Sequence, residues 1–529
     1  MLFLLLSICT SLLQFVLGSP VASLTTSTPT NGSSTFLDFA LATTSAADTC
    51  TDISICRTRY TIILSSLVTI FACVWTAVHR NVPAPEAGEL WLRRIVGKVW
   101  EAAKIIVVTI LVPEWVLAWA VRQFLNARRV RKKLEGAREE AERKWKEKRE
   151  RLKVVRQELT DVGMVGGQSA ELPRNEASPL LQAEKDSQST STHAREAVEK
   201  SKVPEELAFD GEMIGKPKAL AANKQIGRLD SKWSIRHGFF VIMGGFHYYK
   251  DGRPQHPLSP GDVVELVKSG DLAPPTDEEI GNLSQSDVLS KAIAILQTLW
   301  FVVQAIARGV EGLPITQLEI MTLAYTTITV AMYAVWWDKP QNVGGPVRVA
   351  VKKLPKRRKW VKTLPWYTMD IFYVIAGWHD DTVDLRKERR VPTFYGGSTN
   401  GGKTPLADIY VALVAAMVFG AVHCAAWHYP FLSHAEKLIW RVSSLAIVLL
   451  PAAMLVPVLA LSLPMISDHL DDTLLCVFIA MFGLVFLISA PLYIAARSLL
   501  LALSFSTLRS LPLEAYRAAQ WTLRIPHFT

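Results

Sequence analysis

Apolar residues in this chain are gathered into runs of 15 to 25 positions with charged stretches between them. A hydrocarbon layer about 30 Å thick demands close to 20 apolar residues in each helix that crosses it, and lipid-exposed backbone must satisfy its hydrogen bonds within its own segment. The fold class that follows is all-α: polytopic transmembrane helices with a disordered linker and a small cytosolic module. Half of the 529 residues are hydrophobic, and the net charge of +10 arises from 58 Lys and Arg against 48 Asp and Glu. The cations are densest in two blocks beside apolar runs, which reads as membrane-flanking charge.

The first run, Leu2 to Leu17, is short for a crossing helix, and Val16 and Gly18 suit the −3 and −1 positions of a cleavage site. Residues 1–18 are read as a signal peptide, with an uncleaved anchor as the alternative because no Lys or Arg precedes the run. Residues 19–57 form a Ser/Thr-rich lumenal or extracellular stub with little to bury. Asn31-Gly32-Ser33 on that stub is an N-glycosylation sequon, so Asn31 is the expected acceptor of a glycoprotein. Of six Cys, only Cys50 and Cys56 are expected in the oxidising lumen; they are near enough for a small-loop disulfide, with unpaired thiols as the alternative.

Residues 58–125 hold the first span, Tyr60 to Val78, and a second run, Ile105 to Val121, that contains Pro113, Glu114 and two Trp. Basic residues flank that second run on both sides, which favours a re-entrant or interfacial segment over a crossing. From Arg122 to Glu158 fifteen Lys and Arg face seven Glu with several i,i+4 pairs, so 126–160 is expected to be a basic solvated helix. Its densest block, Arg128, Arg129, Arg131, Lys132 and Lys133, is the candidate contact for anionic lipid. Sparse aromatic residues there argue against a nucleic-acid partner.

Residues 161–230 are read as a disordered linker and 231–290 as a small cytosolic module that protein partners could engage. The segment 291–338 reads as a helical hairpin around Arg308-Gly309-Val310-Glu311-Gly312-Leu313-Pro314. A basic loop, 339–407, precedes C-terminal membrane helices and a tail, 408–529. Six to eight spans remain open, since Leu364 to Trp378 is an additional candidate crossing and the Arg-bearing tail prefers the cytosol.

Gly397-Ser398-Thr399-Asn400-Gly401-Gly402-Lys403-Thr404 satisfies the phosphate-loop pattern, yet Pro392 spoils the strand that should precede it. The match is judged false, and neither an enzyme activity nor a cofactor is expected. His423, Cys424, His428 and His434 match no standard metal spacing and read as interhelical packing, so no metal is assigned. Glu114, Arg308, Glu311 and Glu319 lie near membrane depth, with capping and snorkelling weighed above a transport path.

The stretch Val68 to His79 with Asn81-Val82-Pro83 resembles the first span of a family of uncharacterised multi-pass membrane proteins of filamentous fungi. The likeness continues through His237-Gly238-Phe239-Phe240, Trp336-Trp337-Asp338-Lys339-Pro340, Val418-Phe419-Gly420 with His423-Cys424, and Ile525-Pro526-His527. It implies a shared topology and module, and no enzyme. The expected role is receptor-like or scaffolding, in the secretory pathway or plasma membrane, because a minimal transporter would not need the roughly 170-residue insert after the second run. A transporter or channel is the alternative, motivated by Pro451, Pro457, Pro464 and Pro491 within the last runs.

Overall fold

The structure, a computed structural model, describes residues 56–85, 91–161, 232–284, 288–351, 374–377, 379–398, 406–462 and 472–519. The signal peptide, Asn31, Cys50, the linker and residues 399–404 of the Gly-rich loop lie outside the described residues.

Six helices are long and apolar enough to cross a membrane. They lie within α1 (Arg59–Ala77), α7 (Val288–Val310), α8 (Gln317–Val335), α9 (Ala407–Cys424), α10 (His434–Ser462) and α11 (Asp472–Ser506). Their starts follow from local chemistry. Thr58 accepts the Thr61 amide before α1, and Thr316 and Glu319 exchange hydrogen bonds in a capping box before α8. In α8, 78% of the apolar window is buried inside the protein against 33–39% in the other five, which makes α8 the central helix. Around it pack α1, α9 and α11. Where α9 meets α10, a Cβ on Gly420 would stand 2.7 Å from Val448 and 3.0 Å from the Ile447 backbone, so this crossing depends on a missing side chain.

The ends of these helices sort into two groups. Arg57 donates to the carbonyls of Tyr516 and Ala515 and pairs with Glu319, while Arg308 donates to the carbonyls of Pro314 and Arg517. Ser506 bonds Glu436. Residues 56–58, 308–319, 434–436 and 506–517 thus share one end. At the other, Gln341 reaches the Thr76 carbonyl, Asn81 that of Pro392, and Tyr410 that of Val458. Among the described residues six alternating spans connect these groups, and the chain around Arg517 lies at the end where α1 begins. Of the Arg residues that the sequence reading gave to the tail, Arg497 is a buried member of the bundle and no flank.

The second apolar run forms two helices, α2 (Trp91–Leu111) and α3 (Pro113–Asp161), bent by 109° at Val112. Proline cannot donate the bond that would continue α2. In the turn before the bend the Ile110 carbonyl accepts from Tyr325 in mid-α8 and from Arg497 in mid-α11. Both arms touch one loop, since Glu101 of α2 pairs with Arg390 and Trp119 of α3 donates to the Tyr395 carbonyl. The pair therefore enters and leaves by the same end, with its bend inside the bundle.

Two compact units divide the chain. The first also contains α4 (Ile235–Ile242) and a three-stranded sheet ordered β2-β1-β3, from β1 (Phe246–Lys250), β2 (Arg253–Pro257) and β3 (Val347–Val349). Asp251 and Gly252, both with positive φ, turn the hairpin, whereas β3 joins β1 in parallel. Of these strands β1 and β2 fall within 231–290, which the sequence reading gave as a small module without naming strands. The second unit gathers residues from Lys133 through the rest of α3 with Trp233 and Val264–Pro275. Within it Glu135 accepts the Trp233 amide, Arg138 bridges Glu135 and Glu142, and Lys268 pairs with Glu140.

Candidate functional site

Two buried polar centres lie in the first unit. The inner one stands at the bend. Glu114, in the first turn of α3, offers Oε2 to Arg497 Nη1 at 3.3 Å, and the two side chains are 1% and 2% exposed. Arg497 is fastened on several sides: Nε donates to Ile110, Nη1 donates to Tyr493 Oη at 3.1 Å, and the guanidinium lies 3.7 Å from the Phe419 ring centre. Taking two charges out of water is costly unless they are paired and oriented, and an intramembrane pair is kept where it serves a purpose. Glu114 Oε1 and Arg497 Nη2 have no hydrogen-bond partner among the described residues.

Beside the pair lies an apolar cavity of about 160 Å³. Its wall takes side chains from five helices, among them Trp115, Ala416, Met454 and Phe486, with Glu114, Ser489 and Tyr493 supplying polar atoms. Pro451 of α10 also lines it, and Pro491 interrupts α11 nearby in sequence. Such a chamber can hold a small apolar molecule and offer it a carboxylate oxygen.

The outer centre is built on α3 one to three turns further on. Arg122 reaches Asp380 at 3.2 Å and Asp408 at 3.1 Å and donates to the carbonyls of Ala376, Ile375 and Phe394. Gly377 and Gly396 allow this, since a Cβ at either would stand under 3 Å from the guanidinium. Asn126 donates to the carbonyls of Gly396 and Gly397. Lys339 is buried, bonded to the His79 carbonyl and Gln123, with its ammonium 4.9 and 4.6 Å from the Trp119 and Trp336 ring centres. Burial pushes the Lys339 ammonium well below its ordinary value. Burial also raises Asp380 to about 7 in spite of Arg122 and the Gly396 amide, and lowers His379 to about 4, with Arg122 adding to the effect. Among the described residues neither His379 nitrogen has a hydrogen-bond partner, though Nδ1 lies 3.7 Å from Asp380.

The other residues singled out in the sequence fall elsewhere. Arg128, Arg129, Arg131, Lys132 and Lys133 are all exposed, while Val130 and Leu134 between them are buried. Cys56 forms a backbone bridge with Arg517. His423 is buried, its Nδ1 on the Phe419 carbonyl and its ring beside Trp440, which is helix packing. Among the described residues no group of three or more His, Cys, Asp or Glu converges on a metal-sized point. Of the Gly-rich loop, Gly397 accepts from Asn126, and Ser398 donates to Asp381. Glu319 caps α8 and Arg308 holds carbonyls, whereas Glu114 turns into the bundle interior. Sequence reasoning missed Arg497, Lys339 and Asp380, and it counted Arg122 among the flanking cations.

The chain belongs to a family of unknown function (DUF8562), which it matches over residues 33–178 and 207–355. The match covers α1 through β3, and thereby Glu114, Arg122 and Lys339. No curated protein and no solved structure matches the chain.

Proposed function

We propose that this member of a family of unknown function is a receptor-like integral membrane protein of the secretory pathway or plasma membrane, in which occupancy of the inner cavity is reported on the cytosolic side. The observation that carries this reading is the course of α3. It begins at Pro113, has Glu114 on the cavity wall and continues for 49 residues, carrying the Arg128–Lys133 basic block and the charged stretch beyond it. One element thus carries both a side chain of the cavity wall and the charges through which cytosolic partners would act. The partners proposed are the bilayer, with anionic headgroups at the basic block, and proteins on the cytosolic side.

The test is limited trypsin digestion of the full chain in lipid nanodiscs, following cleavage between Arg143 and Lys153. Glu114→Gln should alter the cleavage rate there severalfold, and an unchanged rate defeats the receptor reading. A transporter is the second reading, favoured by an ion pair at mid-bundle beside helices that carry prolines in their interiors. Solute flux into liposomes carrying the purified protein would establish it in place of the first.

A further inference from the structure

We propose that the inner cavity is a binding site for a neutral, largely apolar molecule of about six to eight carbons, or a ring of that size, bearing one hydrogen-bond donor. An aliphatic alcohol or phenol has this chemistry.

Three observations lead there. The volume, about 160 Å³, is close to that of apolar protein cavities which accept a benzene-sized guest. The wall is aliphatic and aromatic, with the indole of Trp115 edge-on to Phe486 at 6.4 Å, so the guest's body is hydrocarbon. Glu114 is 1% exposed and lines the cavity beside Tyr493, whose hydroxyl interacts with the carboxyl group, and Oε1 has no partner at hydrogen-bond geometry among the described residues. A carboxylate oxygen only accepts, and the guest must therefore donate.

Charge narrows the class further. Glu114 is already neutralised by Arg497. An ammonium guest would leave a net positive charge in the bundle interior, while a hydroxyl adds a charge-assisted bond and keeps the site neutral. A carboxylate guest would meet Oε1 as a like charge. A neutral hydroxyl is the donor that fits. The proposal deepens the receptor reading by naming what the bundle binds, and it stands if that reading falls: labelling of the cavity with an unchanged tryptic rate would keep the site and remove the receptor.

The experiment is photolabelling of the full chain in phosphatidylcholine nanodiscs with a diazirine analogue of 1-octanol, with adducts mapped by mass spectrometry. Labels are expected within 107–116, 412–416, 450–454 and 486–494. Octanol and phenol should displace the label at least about tenfold better than octane and toluene compared at equal mole fraction in the bilayer. Octylammonium should compete no better than octane. Displacement by a few mole per cent of a sterol would identify the hydroxyl end of a membrane lipid as the natural source; displacement by octanol without the sterol would identify a freely diffusing alcohol. Ala416→Phe should abolish labelling, and Glu114→Gln should bring octanol and octane to within about threefold of each other. Labels elsewhere, or octane competing as well as octanol on the unaltered chain, overturn the proposal, and that ligand series does not depend on either variant folding.

Discussion

Arg122 holds two carboxylates and three carbonyls in a buried site, so its removal leaves Asp380 and Asp408 without their counter-ion, to be kept charged at a cost or to take up a proton. Breaking a buried pair in this way costs about 3–5 kcal/mol. Arg122→Met should lower the unfolding midpoint of the solubilised protein accordingly, and adding Asp380→Asn and Asp408→Asn should recover part of the loss by removing the stranded charge. The same centre gives an acid and an alkaline limb to stability. His379 is depressed to about 4, so its contribution is present above its ordinary 6.5 and lost as pH falls through 4. Asp380 is raised to about 7, so its contribution is full below its ordinary 3.8 and lost as pH rises through 7. Thermal unfolding against pH should therefore show a smaller acid loss in His379→Gln and a smaller loss toward pH 7 in Asp380→Asn. A lost limb in neither variant would mean that the centre does not govern the profile. None of this was legible along the chain, because the partners are distant: Arg122 and Asp408 are 286 positions apart, Arg497 and Glu114 383. A cation near the end of an apolar run looks like a flank until the opposite charge is placed beside it.

At the scale of elements, the helices were legible and their junctions were not. The run Tyr60 to Val78 corresponds to α1 within one residue at each end, because a hydrocarbon core fixes helix length and Thr58 marks the start. The 109° bend at Val112 left only Pro113 as a trace, and β3 left none, since its partner β1 lies about a hundred residues earlier. Helix crossings depend equally on tertiary detail. Gly420→Val puts two methyl groups where α10 already stands, and it should destabilise the bundle by about 1–3 kcal/mol, read as a lower unfolding midpoint with Gly420→Ala intermediate. The basic block of α3 was legible as helical spacing, whereas its contact with lipid is a proposal. Arg128, Arg129, Arg131, Lys132 and Lys133 all face out around buried Val130 and Leu134, as helical spacing requires. The protein reconstituted with phosphatidylserine should show protection of this block from trypsin that fades at high salt, and phosphatidylcholine should give none. Equal protection in both lipids would reduce the block to a solvated face.

For the whole molecule the deciding quantity is parity. Arg57, Arg308 and Glu436 tie the start of α1, the turn between α7 and α8, the start of α10 and residues 506–517 to one end, so the six spans between them bring the chain back to the side from which it set out. Positive-inside counting left the number of spans open and gave the tail only a preference, because it treats each cation as free to choose a side. Arg497 is committed to Glu114, and Arg308 to carbonyls. If the signal peptide delivers residue 31 to the lumen, then the chain near Arg517 is lumenal too, while the β1–β2 hairpin and Asn282 are cytosolic. A glycosylation sequon appended on a spacer after Thr529 should therefore be modified in the same cells that modify Asn31. Asn282 should remain bare, and a sequon inserted at Asp251-Gly252 should stay bare as well. Endoglycosidase treatment of the four single-site proteins, each with the other acceptors changed to Gln, reads the result as a mobility shift. A shift for Asn31 with none for the appended site would require an odd number of crossings. That outcome is incompatible with Arg57 and Arg517 meeting at one end of the bundle.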